Sequence, residues 1–161
     1  MKNVEPNPEA QFEVRDMIGA DIGRVMEMER EIFPDPWPRS AFTEQIDGDG
    51  WGAIVAVAAC GVIGYGCYFT VDIEAHLTNI AVAPDYRRKS VAKSLLDTIL
   101  QRAIEADCDY LLLEVRQSND AARAFYEKHG FTVLYQRPNY YRRPVESALV
   151  MVRYLDQDRE E

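Results

Sequence analysis

Residues 77–115 constrain the fold more than any other part of the chain. Leu77 to Val82 reads as a strand that ends at Pro84. From Ser90 to residue 106, Val91, Leu95, Ile99 and Ala103, with Leu96, Leu100 and Ile104 beside them, form one helical face. Tyr110 to Val115 follows as a mostly apolar run, fitting a strand buried on both faces. Strand, helix and strand in that order call for a sheet with helices packed on it. The strand-to-helix corner also carries Arg87, Arg88 and Lys89, with Lys93 one turn later. A helix N-terminus has unpaired N–H groups and the positive end of the macrodipole, which suits an anion. Cations placed there oppose the dipole, so solvation alone does not explain them. A pyrophosphate bound at the corner does.

The flanking segments extend this core. Phe12 to Arg15 alternates apolar and polar residues as a strand does, and Asp21 is placed to cap a helix patterned by Ile22, Val25, Met26, Met28, Glu29 and Ile32. Pro34, Pro36 and Pro38 break that helix. Ser40 starts a shorter one through Ile46, and the DGDG run at 47–50 ends it. Segments 51–59 and 62–72 read as a hairpin around Cys60-Gly61. Ser118 or Asn119 caps a last helix that stops at Gly130, and Phe131–Tyr135 and Ser147–Tyr154 are the final strands. The expected order is β-α-α-β-β-β-α-β-α-β-β: an α/β chain whose central mixed sheet is flanked by helices. A length of 161 residues suits one such domain, expected over 12–155, between a disordered lead-in at 1–11 and a disordered acidic tail at 156–161.

A net charge of −9 disfavours direct nucleic-acid binding and allows the steering of a basic partner, although it also serves solubility. No apolar run reaches membrane-span length, and the first residues lack the apolar region of a secretory signal. Cys60, Cys67 and Cys108 are odd in number and irregularly spaced, which points to a reducing cytoplasm, no disulfide frame and three buried small residues. His76 and His129 are the only histidines, and no metal constellation is visible. His129 in a last helical turn suits the dipole as a cation.

Several blocks together carry a resemblance. Asn79-Ile80-Ala81-Val82, then Pro84 and Arg87-Arg88-Lys89-Ser90-Val91-Ala92, resembles the acetyl-CoA loop of the GNAT acetyltransferases, whose pattern is Gln/Arg-x-x-Gly-x-Gly/Ala. Leu113-Glu114-Val115-Arg116, Ser118-Asn119, Ala122, Tyr126 and Gly130-Phe131 are similar to the RimI branch of that family, N-terminal alanine acetyltransferases of a small-subunit ribosomal protein. FPDPW at 33–37, Asn139-Tyr140-Tyr141 and Glu146 to Met151 are similar to the same branch. Ser90 departs from the pattern: it stands where the family has a glycine. A Cβ there crowds a phosphate, while a hydroxyl offers a cap or a ligand.

The resemblance implies acetyl transfer from acetyl-CoA to the N-terminal α-amine of a basic protein or peptide, without a metal. It implies Glu114 as the general base, through water or with a pKa raised by burial, and Tyr126 as the acid for the leaving thiolate, facing the coenzyme while Phe125 joins the core. Ile80, Ala81 and Val82 would pair with the pantetheine arm, with Val82 near the oxyanion. Arg87, Arg88, Lys89, Ser90, Val91, Ala92 and Lys93 would hold the pyrophosphate, and Asn119 would contact the coenzyme. Phe33, Trp37 and a Tyr140-Tyr141 loop would line the peptide side. The residues alone allow blander readings: Glu114 as an ion pair with Arg116 or another cation, Tyr126 and the other aromatics as packing, Asn119 as a plain cap. Two other functions stay open, a GNAT acting on a small amine or a lysine, and a non-catalytic acyl-CoA module suggested by Ser90.

Overall fold

The structure, a computed structural model, describes residues 11–159. Its strands are β1 (Phe12–Asp16), β2 (Trp51–Ala58), β3 (Gly61–Val71), β4 (Glu74–Val82), β5 (Tyr110–Arg116), β6 (Thr132–Arg142) and β7 (Val145–Tyr154). The helices are α1 (Ile22–Ile32), α2 (Arg39–Asp47), α3 (Val91–Glu105) and α4 (Asp120–Lys128). The strands form one sheet in the order β1-β2-β3-β4-β5-β7-β6. Every neighbouring pair is antiparallel except β4 and β5. That exception follows from the crossover through α3, because parallel neighbours need a long connection.

Each face of the sheet has its own core. Val91, Leu95, Leu96, Ile99 and Ala103 of α3 pack with Leu77, Leu111, Leu113, Tyr126 and Met151 on one side. Val25, Met26 and Met28 of α1 and Phe42 of α2 pack with Val55, Tyr65 and Cys67 on the other. Gly64 and Gly66 let α3 sit close on β3: a Cβ at Gly64 would lie 3.1 Å from Val91 Cγ1 and one at Gly66 3.0 Å from Ile99 Cδ1.

β5 departs from the expected strand buried on both faces. Leu111, Leu113 and Val115 are buried, while Tyr110, Leu112, Glu114 and Arg116 are only half-buried. The reason is coverage, since α1 and α2 pack on β2, β3 and β4 and leave β5 open on that side. β6 is longer than the expected Phe131–Tyr135 and exposed at every position except Tyr141, as befits the outermost strand. Tyr140 and Tyr141, expected in a loop, lie on β6, where the register with β7 slips between Arg137 and Tyr141.

Local corrections have simple causes. Asp21 does not cap α1; its carboxylate accepts from Ile18 N–H at 2.9 Å and Arg15 Nη1 at 2.8 Å. Cys60 is exposed at the β2–β3 turn, 2.9 Å from the Tyr86 hydroxyl, while Cys67 and Cys108 are buried. Burial lowers the His129 pKa, so this residue is a poor cation for the α4 dipole. At the expected tail, Asp156–Arg159 form a 3₁₀ turn, and Asp158 pairs with Arg153 at 3.0 Å. The lead-in at 1–11 lies almost wholly outside the described residues.

Candidate active site

The sheet opens at its centre. β4 pairs with β5 only from Glu74↔Tyr110 to Leu77↔Leu113. Beyond Leu77, β4 continues to Val82 bonded to β3 alone, and beyond Leu113, β5 continues to Arg116 bonded to β7 alone. The cause is a bulge: the β3–β4 register passes from Tyr68↔Leu77 to Cys67↔Asn79, leaving Thr78 as an extra residue. A bulge bends the strand that carries it, and the divergence from β5 starts at that residue. The Thr78 hydroxyl oxygen is buried and has no hydrogen-bond partner among the described residues.

One wall of this fork is Ile80–Val82. Ala81 and Val82 are buried and Ile80 half-buried, so what this segment offers the gap is main chain. Val82 leads into the cationic corner, whose four cations are not equivalent. Arg87 Nε donates to Val82 O at 3.2 Å, bracing the turn. Lys93 is paired with Asp97 at 2.6 Å. Lys89 lies 5.4 Å from the centre of the Tyr86 ring, and among the described residues neither Arg88 nor Lys89 has an acidic partner. Ser90 is the N-cap of α3 in the left-handed conformation, φ 63° and ψ 14°, and its side chain makes no capping bond. It holds the shape a glycine favours, and the cap expected of its hydroxyl is not made. Val91 is buried, leaving its backbone alone for a ligand, while Ala92 is half-buried.

Glu114 stands on the other wall, the first β5 residue beyond the β4 pairing, half-buried on the face that α1 and α2 leave open. The alternative of an ion pair with Arg116 is not realised. Arg116 bonds Glu146 at 3.4 Å and the carbonyls of Arg143 and Pro144 at 3.0 and 3.1 Å. Its guanidinium lies 4.1 Å from the centre of the Tyr141 ring. Burial raises the Tyr140 phenol, and the Glu114 charge adds to it. Tyr141 is pushed up to about 12, first by burial, then by Tyr140 and Glu114. Tyr126 is raised further by burial, with Tyr141 adding to it. The Glu114 charge thus acts on Tyr140 and Tyr141, and Tyr141 in turn on Tyr126. Tyr126 reverses the expectation for α4: it is the buried member of its pair, packed at 5.5 Å on Phe131, and Phe125 is half-buried.

Asn119 caps α4 by accepting from Ala122 N–H at 3.1 Å. Phe33 and Trp37 are half-buried against the α1–α2 core, with Trp37 5.5 Å from Phe42, so both serve packing. A cavity of about 230 Å³ lies between Trp37, Gln45, Trp51 and Thr78 on the same side. Sequence reasoning passed over Thr78 and the buried carboxylate of Glu29, which accepts from Trp37, Tyr65 and Asn79. The signal for Glu29 was a charge on the apolar stripe of α1. Among the described residues no group of His, Cys, Asp or Glu is arranged to hold a metal, and no helix is long and apolar enough to cross a membrane.

Residues 22–131 match the family model described as Acetyltransferase (GNAT) family. The chain belongs to the GNAT acetyltransferase family. Within it, this GNAT chain is 35% identical over 138 residues to the ribosomal protein bS18-alanine N-acetyltransferase of Haemophilus influenzae, covering 84% of this chain and 93% of that one. It is 29% identical over 168 residues to an N-alpha-acetyltransferase of Saccharolobus solfataricus, covering 96% of this chain and all of that one. Its fold matches the crystal structure of the ribosomal-protein-S18-alanine N-acetyltransferase of Escherichia coli with a TM-score of 0.81 and 28% identity, over 89% of this chain and 93% of that one. The expected fold class and the RimI-type resemblance agree with these findings.

Proposed function

We propose that this GNAT protein moves the acetyl group of acetyl-CoA onto the N-terminal α-amine of a protein, with the N-terminal alanine of a small-subunit ribosomal protein as acceptor. The observation that carries the reading is the fork, with unpaired β4 backbone on one wall and the Glu114 carboxylate on the other. Extended chains bind such strand edges through main-chain hydrogen bonds, and the pantetheine arm takes that place along Ile80–Val82. Arg88, Lys89 and the first backbone N–H groups of α3, from Val91 to Lys93, hold the pyrophosphate, while Arg87 braces the turn through Val82 O. The Oδ1 of Asn119 is engaged by its cap, which leaves the amide N–H groups for the coenzyme.

An α-amine, with a reference pKa of about 7.7–8.0, attacks only when neutral. Glu114 takes the proton through a water as the N–C bond forms and the C–S bond breaks, and the Val82 N–H faces the oxyanion. Tyr126 stays protonated because burial raises its phenol. A thiol has a reference pKa of about 8.5, so full transfer from this phenol to the departing thiolate runs uphill. Tyr126 therefore acts chiefly as a hydrogen-bond donor to the sulfur. Phe33, Trp37, Tyr140 and Tyr141 line the acceptor side. A basic acceptor agrees with the net charge of −9, and a cytoplasmic setting agrees with the unpaired Cys60 and Cys67.

The test is mass spectrometry of two peptides incubated with the protein and acetyl-CoA. One begins with the alanine of the ribosomal target; the other has a blocked N-terminus and internal lysines. A single acetyl on the first alone is expected. Acetylation of the lysine peptide instead would overturn the N-terminal reading.

A further inference from the structure

Glu29 is buried to 1% exposure on the inner face of α1, and no cation pairs with it among the described residues. Three donors satisfy it instead. Its Oε1 accepts from Trp37 N–H at 3.1 Å, and its Oε2 accepts from Asn79 Nδ2 at 3.0 Å and from the Tyr65 hydroxyl. Burial and the bond to Glu29 both raise the Tyr65 phenol, so Tyr65 is the donor of that pair. A buried carboxylate without a cation is costly and depends on its hydrogen-bond donors to offset lost hydration.

The partners show what it connects. Trp37 belongs to the α1–α2 loop on the acceptor side of the fork. Asn79 follows the Thr78 bulge and directly precedes Ile80–Val82, the wall assigned to the coenzyme. Tyr65 sits on β3 opposite Ala81 and fixes the carboxylate to the body of the sheet. One side chain therefore joins the loop beside the acceptor to the strand beside the thioester.

We propose that Glu29 is a positioning residue that sets the separation of the α1–α2 loop from Ile80–Val82, so that amine and thioester arrive at attacking distance. This rests on the acetyl-transfer reading above. Transfer needs the reacting atoms about 3–3.5 Å apart, and a displacement of about 1 Å costs on the order of 10²-fold. Only a carboxylate presents acceptors to all three donors. In a glutamine of the same size, the one oxygen stays with Tyr65 and Asn79, and the NH₂ meets Trp37 N–H, donor against donor.

The experiment compares Glu29→Gln with the parent and with Leu100→Ala, a cavity-forming change in the opposite core. Two readouts are taken: steady-state constants with an N-terminal alanine peptide, and acrylamide quenching of Trp37 in a Trp51→Phe background, these being the only tryptophans. Glu29→Gln is expected to lower kcat/KM for the acceptor peptide by on the order of 10²-fold, leave the acetyl-CoA Kd within about threefold, and expose Trp37 to quencher. Leu100→Ala is expected to lower the melting temperature and move neither readout. Equal quenching and kcat/KM in Glu29→Gln and parent, or the same changes in Leu100→Ala, would overturn the positioning role. A parent that transfers no acetyl group would overturn the transfer reading, while the quenching comparison still judges the loop contact. If Glu29→Gln does not fold, Glu29→Asp, which withdraws the carboxylate by one methylene, is held to the same two readouts.

Discussion

The Arg116 guanidinium covers the Tyr141 ring at 4.1 Å while its N–H groups hold the carbonyls of Arg143 and Pro144. The end of β5 is thereby fastened to the β6–β7 turn and to the Tyr141 ring. Arg116→Lys keeps the charge but loses the planar fork and the stacked face. Its acceptor KM should rise about 10-fold with acetyl-CoA affinity unchanged, as checked by steady-state kinetics and calorimetry. Equal effects on both substrates would mean that Arg116 supports the whole sheet rather than the acceptor wall.

Glu114→Gln should lower turnover by roughly 10²–10⁴ and leave coenzyme affinity nearly unchanged. Glu114 has no ion-pair partner among the described residues, so the change breaks no salt bridge and the melting temperature should hold. Parent-like turnover would remove Glu114 as the base.

Tyr126→Phe retains the ring packed on Phe131 and deletes only the hydroxyl. Turnover should fall by about 10²-fold at most with little loss of stability. Because burial holds the phenol protonated, the parent pH–rate profile should show no Tyr126 limb below pH 10 or so. A limb near neutrality that disappears in Tyr126→Phe would overturn the donor role.

Ser90→Gly relieves a non-glycine residue at φ 63°. Left-handed backbone costs an L-residue roughly 1–2 kcal/mol, part of which glycine's looser unfolded chain offsets. Urea denaturation should show a gain of about 1 kcal/mol or less, and calorimetry should show tighter acetyl-CoA binding. Weaker binding would identify the Ser90 hydroxyl as a phosphate ligand.

Asp21 sits below the usual carboxylate range because Arg15 hydrogen-bonds it, with Ile18 N–H assisting and burial opposing. Its folded pKa is lower than its unfolded one, so its contribution is present above the unfolded value. That contribution is lost as pH falls through the folded value. Urea midpoints should decline below about pH 4, and Asp21→Asn should flatten that decline. An unchanged slope in the variant would assign the acid sensitivity to another group, with Glu146 the next to examine.

The parts of the fold legible in the sequence are those where burial imposes a period. The α3 stripe and the strands on either side stand within a residue or two of their expected bounds, except that β4 starts three residues earlier, at Glu74. β6 was not legible past Tyr135 because an exposed outer strand has no face to hide, and Pro138-Asn139 resembles a turn. The anion corner at Arg87–Lys93 was legible from the cations at a helix N-terminus, while the roles of Glu114 and Tyr126 were legible only through family resemblance. The fork depends on where a long-range parallel pairing stops, and periodicity does not report that. Glu29 could have been noticed as a carboxylate on an apolar stripe, but its three partners lie 8 to 50 residues away.

Thr78 makes the fork a matter of counting. Removing that one residue would bring Leu77 and Asn79 into unbroken register with Tyr68 and Cys67 and let β4 run on alongside β5. On the proposed function, such a chain would lose the gap that receives the thioester. In this architecture the gap is an insertion of length one, so a single-codon deletion asks whether the fork itself is needed for transfer without altering any other side chain.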